Sequence, residues 1–296
     1  MTSLDFKALR KKERAKLQRQ KQQENQYQNK GTLSRIHLDA PLILAHRFSL
    51  DLIKFKVSPG AIDGIYYVPE WLSEEDARQL LEAIDQAPAG LWTNLQNRRL
   101  QNLGGTPASA TGKGMRCLPV PSYGHAMFEA LVAAGVFASD TAPNHILLNE
   151  YSNGQGIALH KDGPLYQNRV AIVSLGAPAL IEFWDRPHLN DLNAPRCSGS
   201  NFPSHPSSAT VRLEHRSLLV FEGDAYEKYW HGILRRHELP AEESGDRGKE
   251  DRRVSLTVRR VLNVCEADKE MLETAETVRE EKRENARFLM SISDDR

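Results

Sequence analysis

Most of the features that would classify a 296-residue chain at a glance are missing from this one. No apolar run approaches the roughly 18 residues that can cross a bilayer. The N-terminus is charged and Gln-rich where a secretory leader would be apolar. Both absences point to a soluble, intracellular protein with no membrane partner, in the nucleus and cytoplasm if the cell is eukaryotic. Cysteine is scarce: Cys117, Cys197 and Cys265 are odd in number and far apart, which excludes a disulfide framework and a CxxC zinc site and suits a reducing compartment. Charge of one sign is also lacking, since 39 Lys and Arg balance 39 Asp and Glu. A nucleic-acid partner therefore has to be argued from local features. What is present, 40% hydrophobic and 26% charged residues, is ordinary globular composition. The length suits one large catalytic domain with tails.

The chain divides by pattern into four parts. Residues 1–60 begin with a Lys/Arg/Gln-rich stretch, 1–30, which reads as a solvated tail or as a basic arm able to touch phosphates. Residues 61–140 carry a short strand at Tyr66–Val68 and then a helix capped by Ser73, with Asp76 reaching back as its box partner. Ala77, Leu80, Leu81 and Ile84 follow at helical spacing. A second amphipathic helix runs from about Ser122 to a stop at Gly135, with Met127, Leu131 and Ala134 on one side. Residues 141–265 change to short β-type runs at Ile146–Tyr151, Val170–Leu175, Leu180–Trp184, Thr210–Leu213, Ser217–Phe221, His231–Arg235 and Val254–Val261. Such spacing predicts a sandwich or barrel. Two polar interruptions, about Arg186–Ser208 and His237–Asp251, read as surface loops. Residues 266–296 form a charged helix or tail.

Chemistry concentrates in the third part. His160 and Asp162 are two residues apart, a spacing that in a strand puts both side chains on one face. An imidazole and a carboxylate together supply two ligands of a two-His-one-carboxylate iron site, which leaves positions open for cosubstrate and oxygen. His231, opening a later strand after the acidic turn Glu222–Asp224, is the best third ligand. An isolated H-x-D pair arises often by chance. The segment Arg253–Arg259 adds weight, because Val254, Leu256 and Val258 alternate with Arg253, Ser255, Thr257 and Arg259. An edge strand with a solvated polar face would explain that alternation. If the polar face turns inward, two guanidinium groups are desolvated and require carboxylate partners. A dicarboxylate suits them, through bidentate charge-assisted hydrogen bonds. Asn149 and Tyr151 repeat the two-residue spacing and can donate to carboxylate oxygens in the same cavity.

N-x-Y, H-x-D, a distal His and R-x-x-x-x-x-R, in that order over Asn149–Arg259, resemble the AlkB family of oxidative dealkylases. Upstream, Trp92–Thr93, Arg98–Asn102 and Gly104–Gly105, with Gly163–Tyr166 and Arg216–Val220 further on, are most similar to the sixth mammalian branch of that family. The resemblance then covers residues 62–265. It implies a mainly β (α+β) fold, a double-stranded β-helix or jelly roll with flanking helices and a nucleotide-recognition-lid-like segment. It implies Fe(II) and O2 as reactants, 2-oxoglutarate as cosubstrate, and oxidation coupled to decarboxylation of 2-oxoglutarate to succinate and CO2. Residue by residue, it gives His160, Asp162 and His231 to iron and Arg253 to the distal carboxylate. Arg259 falls near the metal-proximal end, and Asn149, Tyr151 and Ser255 complete the cosubstrate site. Two positions depart from the bacterial repair enzyme's pattern: Ser255 stands where that enzyme has Asn, and Pro164 where it has a base-contacting acid.

The segment Trp92–Gly105 would by family position form a lid, with Trp92, Arg98 and Arg99 contacting a flipped base and its phosphates. The plain alternative is a surface loop whose Trp packs inward. DNA or RNA, oxidatively demethylated or hydroxylated, is the first expectation for the substrate. A protein side chain is the second. A cupin-like metal hydrolase would share the ligand types but has no need of two inward arginines. A noncatalytic nucleic-acid-binding module would bind without making succinate.

Overall fold

The computed structural model describes residues 42, 44, 49–57, 62–106, 114–152, 155–185, 207–233 and 252–264. All of these belong to the unit of residues 41–296, which separates from residues 1–40. The basic stretch 1–30, the interruption 237–251, most of the interruption 186–208 and the segment 266–296 lie outside the described residues.

The strands are β1 (Ile65–Val68), β2 (Thr93–Leu95), β3 (Arg98–Leu103), β4 (Gly105–Thr106), β5 (Arg116–Cys117), β6 (His145–Tyr151) and β7 (Ile157–His160). They continue with β8 (Tyr166–Gly176), β9 (Ala179–Trp184), β10 (Ala209–Leu213), β11 (Leu218–Glu222), β12 (Trp230–Ile233) and β13 (Arg253–Val261). Helix α1 spans Glu74–Asp85, α2 spans Ser122–Ala133, and the single turn α3 spans Asp224–Glu227.

Seven strands form a large sheet in the order β1-β11-β8-β13-β6-β3-β2, and four form a smaller sheet, β10-β9-β12-β7. The ladders within both sheets are antiparallel. This mostly antiparallel pair of sheets with few helices is a jelly-roll core. Strands from residues 61–140 and from residues 141–265 share the large sheet, so the two stretches fold as one body.

Alternation along each strand of the large sheet separates two cores. On one face, Leu148, Val173, Leu175, Val220, Leu256 and Val258 are buried against Ala77, Leu80 and Ile84 of α1 and Met127 and Leu131 of α2. On the other face, Ile65, Val170, Ile172, Leu219 and Phe221 meet Ile181, Phe183, Val211, Leu213 and Ile233 of the small sheet. The helices form where sequence predicts them. Ser73 Oγ accepts from Asp76 N at 3.1 Å while Asp76 accepts from Ser73 N, which closes the capping box. Helix α2 ends beside Gly135, whose φ of 74° supplies the left-handed stop.

Strand β13 is central in the large sheet, flanked by β8 and β6, which removes the edge-strand explanation of its alternation. Its polar face is buried: Arg253, Ser255, Thr257 and Arg259 are each 6% exposed or less. At one end Gly176 lies opposite Arg253 with φ 79°, and a Cβ there would sit 2.3 Å from the Arg252 carbonyl oxygen. Only glycine lets β8 approach so closely at that point.

Candidate active site

The ladder between β12 and β7 places His231 directly opposite His160. Their ring centroids are 4.4 Å apart. Strand geometry stops at His160, however, and Asp162 stands in the irregular segment that follows. The expected same-face strand spacing is therefore not what brings the carboxylate in. Arg259 does so, donating from Nη2 to Oδ1 at 2.8 Å and from Nε to Oδ2 at 3.1 Å. One ligand atom from each of His160, Asp162 and His231 lies within 4.8 Å of the others.

This set fits a divalent metal on electrostatic grounds. His160 Nδ1 lies 2.9 Å from the Ala158 carbonyl oxygen, which fixes the proton on Nδ1 and leaves the Nε2 lone pair free. His231 is 5% exposed, and its Nδ1 is buried without a hydrogen-bond partner. Burial and the neighbouring His160 push the His231 imidazole down to about 3, and burial lowers His160 as well. Burial acts to raise Asp162, but Arg259, His231 and His160 outweigh it and hold the carboxyl below its ordinary value. Two neutral imidazoles and a carboxylate are the protonation states that metal binding requires.

A buried cation with no carboxylate partner among the described residues stands on the large sheet, on the same strand face as Arg259. Arg253 Nη2 donates to Ser174 Oγ at 3.0 Å, but its Nε and Nη1 have no hydrogen bond, and the residue is 4% exposed. Its Cζ lies 5.3 Å from the centre of the Tyr151 ring, and Ser255 is paired with Asn149 on one side and Ser174 on the other. Burial lowers the Arg253 guanidinium from its ordinary value, as expected of a cation whose counter-ion is not part of the chain. Donors of this kind, buried and unsatisfied, match a carboxylate.

Strand β3 carries two of the expected lid residues, Arg98 and Arg99, and the third, Trp92, directly precedes β2. Segment Thr93–Leu103 is a hairpin at the edge of the large sheet. Arg98 turns to the inner face, where Nε donates to Asn149 Oδ1 at 2.9 Å. Arg99 turns to the helix side, where it pairs with Glu150 at 2.6 Å and stacks 4.1 Å over Trp92. Trp92 itself packs against the core beneath the helices. Arg98 and Arg99 therefore lie on opposite faces of the sheet, because alternation sends neighbours to opposite sides, and Trp92 is on the side of Arg99.

Several residues of the chamber were not anticipated. Ser174 could have been found as the lone hydroxyl in the aliphatic run Val170–Leu175. His145 lies four residues before Asn149 on the same strand face; it is 1% exposed, and burial with the nearby Arg259 pushes it down to about 3. Its Nε2 is 3.3 Å from Asn102 Oδ1. Tyr166 stacks under Arg259, with the guanidinium carbon 4.8 Å from the ring centre. Tyr166 ends the Gly163–Tyr166 motif, which assigns it no role, and no sequence pattern marks His145.

Residues 64–259 match the 2OG-Fe(II) oxygenase superfamily. The chain belongs to that superfamily, and within it to the AlkB type. It is 34% identical over 230 residues to the "Probable RNA/DNA demethylase ALKBH6" of Danio rerio, covering 74% of this chain and 94% of that one. It is 26% identical to the "Alkylated DNA repair protein ALKBH8 homolog" of Arabidopsis thaliana, covering 68% of this chain and 59% of the relative. The solved structure of OsALKBH1 aligns with a TM-score of 0.45 and 17% identity, over 68% of this chain and all of that one. The AlkB-type oxygenase uses Fe(II), 2-oxoglutarate and O2. No helix among the described residues is long and apolar enough to cross a membrane.

Proposed function

We propose that this AlkB-type oxygenase oxidises alkyl groups on nucleic acid, with His160, Asp162 and His231 holding Fe(II), Arg253, Asn149, Tyr151 and Ser255 arranging 2-oxoglutarate, and Arg259 beside the metal-proximal end steadying Asp162. The observation that carries the site assignment is the pairing of a three-ligand cluster with a buried, half-unsatisfied guanidinium across one chamber. A two-His-one-carboxylate triad leaves metal positions open, and the bound iron supplies oxygen activation coupled to decarboxylation of the keto acid.

The chain's own residues do the positioning. Arg253, seated between Tyr151 and Ser174, anchors the distal carboxylate by its free Nε and Nη1. Asn149 Oδ1 is occupied by Arg98, so its amide nitrogen is left to donate inward. Arg259 is committed to Asp162 on both oxygens and stacks on Tyr166, which makes it the residue that holds the carboxylate ligand in place. The core between the two sheets is aliphatic and aromatic around His231. Phe183 and Phe221 keep water from the His231 ring at centroid distances of 6.0 and 4.9 Å.

Nucleic acid as substrate is supported by the relatives, whose names include RNA/DNA demethylase and alkylated DNA repair. One observation favours a protein side chain as the second reading: the hairpin's ring, Trp92, lies on the helix side and is not offered for base stacking. Hydroxylation of an N-methyl carbon would give an unstable hemiaminal that releases formaldehyde. The test is a screen of methylated DNA, RNA and peptides with Fe(II) and 2-oxoglutarate, reading formaldehyde and succinate together. Formaldehyde from oligonucleotides supports the reading, whereas release from peptides alone replaces it with the protein one.

A further inference from the structure

Two of the three metal ligands are set by a strand ladder, and the third is not. His160 and His231 face each other across β7 and β12. Asp162 lies beyond the end of β7, which is an edge strand of the small sheet. The next backbone hydrogen bond among the described residues comes at Leu165, whose carbonyl accepts from Leu262 N at 2.9 Å. Gly163 adds no confinement, since the space a Cβ would take there is empty. A metal site needs its ligands held to within about 0.5 Å of the productive geometry. Arg259 grips the carboxylate oxygens, but a grip on the side chain alone leaves the backbone beneath it loose.

The single turn α3 meets that segment on both sides of Asp162. Tyr226 Oη donates to the Gly163 carbonyl oxygen at 2.8 Å, one residue after the ligand. Lys161 Nζ donates to the Glu227 carbonyl oxygen at 2.8 Å, one residue before it. The turn is itself fastened to β8, because Asn168 Oδ1 accepts from Gly223 N at 2.7 Å while Asn168 Nδ2 donates to the Glu227 carboxylate. Ala225 is fully buried, and its N donates to the Asp63 carbonyl oxygen at 3.2 Å. Lys161 is exposed, so water competes for its bond, whereas Tyr226 is only 9% exposed. The Tyr226 ring stacks on Phe221 at 6.5 Å and 29°, and Phe221 lies 4.9 Å from the His231 ring. One side chain thus touches the segment of the carboxylate ligand with its hydroxyl and the packing around a histidine ligand with its ring. Burial, and then the Asp162 charge, push the phenol up to about 12, so the hydroxyl keeps the proton it donates.

We propose that Tyr226 is a positioning residue for the metal centre: its hydroxyl, anchored through α3, fixes the backbone at Gly163 and so aims the Asp162 carboxylate at the two histidines. This rests on the reading of His160, Asp162 and His231 as the metal ligands. Groups that orient a ligand without touching the metal contribute about 10- to 100-fold to metal affinity. Tyr226 acts through one backbone bond, which places it at the lower end of that range.

The test is a calorimetric titration of the full, metal-free chain with Ni(II) alone. This ion binds such donor sets more tightly than Fe(II), so weakened variants still bind measurably. Wild type is compared with Y226F, D162A, H231A, and Y226F combined with D162A. Y226F keeps the ring on Phe221 and loses only the hydroxyl. Its Ni(II) affinity should fall about tenfold. Its metal-free melting temperature should fall by no more than about 4 °C, the shift of one lost hydrogen bond in a domain of this size. In the D162A background no carboxylate remains to be aimed, so the same substitution should change affinity by less than about twofold. Unchanged Ni(II) affinity in Y226F overturns the proposal. So does an equal fall in the D162A background, which would place the effect in the fold or at His231. Unchanged Ni(II) affinity in H231A would instead strike the ligand assignment itself, so the two failures are distinguishable.

Discussion

Arg253 is the residue on which the cosubstrate assignment turns, because in the ligand-free chain it is a buried cation with two unsatisfied donors. Replacing an uncompensated buried charge with an apolar side chain of similar volume should stabilise the ligand-free protein by about 1–4 kcal/mol. Arg253→Met should accordingly melt no lower than wild type in the absence of 2-oxoglutarate. It should lose the stabilisation that saturating 2-oxoglutarate gives wild type, which scales with the ligand's affinity. A thermal melt with and without the keto acid checks both halves. His231 and His145 make a second claim at this scale. Each is held at about 3, by burial with His160 beside the first and with Arg259 beside the second, against an ordinary value of 6.5. Between those values the unfolded chain takes up protons that the folded chain refuses. The stability is complete above about pH 6.5 and is lost as pH falls towards 3. The slope should be up to about 1.4 kcal/mol per pH unit for each histidine. Denaturant titrations of the metal-free protein from pH 7 to pH 4 should show it, and His145→Gln should make the slope shallower.

Among the elements, the hairpin of β2 and β3 depends on a network behind the chamber. Glu150 accepts from Arg99 at 2.6 and 2.8 Å and from Arg252 at 2.9 Å, and Arg252 reaches Asp85 of α1 at 3.0 Å. Adjacent residues of three strands are therefore split between two duties: Arg98, Asn149 and Arg253 face the chamber, while Arg99, Glu150 and Arg252 tie the sheet to the helix. Glu150→Gln should destabilise the fold by about 1–2 kcal/mol, since both arginines are more than a third exposed and solvent screens part of the loss. Fe(II) binding should survive that change, which a metal titration of the folded variant would show. The same splitting explains what was legible in the sequence. Strand β13 announced itself because over Arg253–Arg259 one face is wholly aliphatic and the other wholly polar, and α1 because Ser73 and Asp76 bracket its first turn. Strand β3, Arg98–Leu103, gave no such signal, because polar residues on both faces find partners and erase the hydrophobic alternation. Strand β7 is four residues long, too short for a period to show. The pairing of His160 with His231 was readable as an expectation of strand order. The bidentate grip of Arg259 on Asp162 was not, because it joins residues 97 apart through side chains alone.

At the scale of the whole molecule, both sheets and the helices that support the chamber lie within residues 41–296. Removing residues 1–40 should leave Fe(II)-dependent succinate formation within about twofold of the full chain. If the basic stretch 1–30 acts as an arm, the same truncation should lower oligonucleotide affinity and flatten its salt dependence, since displaced counter-ions drive such contacts. Unchanged affinity and slope would remove the arm from consideration. The central claim, that a single chamber holds iron on one sheet and a dicarboxylate on the other, is tested most directly by anaerobic calorimetry of 2-oxoglutarate binding to the Fe(II)-loaded chain. Wild type should bind the keto acid in a one-to-one ratio, with affinity reduced by at least about thirtyfold in Arg253→Gln, the equivalent of about 2 kcal/mol for a lost charge-assisted pair. Undiminished binding by Arg253→Gln, or retained succinate formation by Asp162→Ala and His231→Ala, would contradict it.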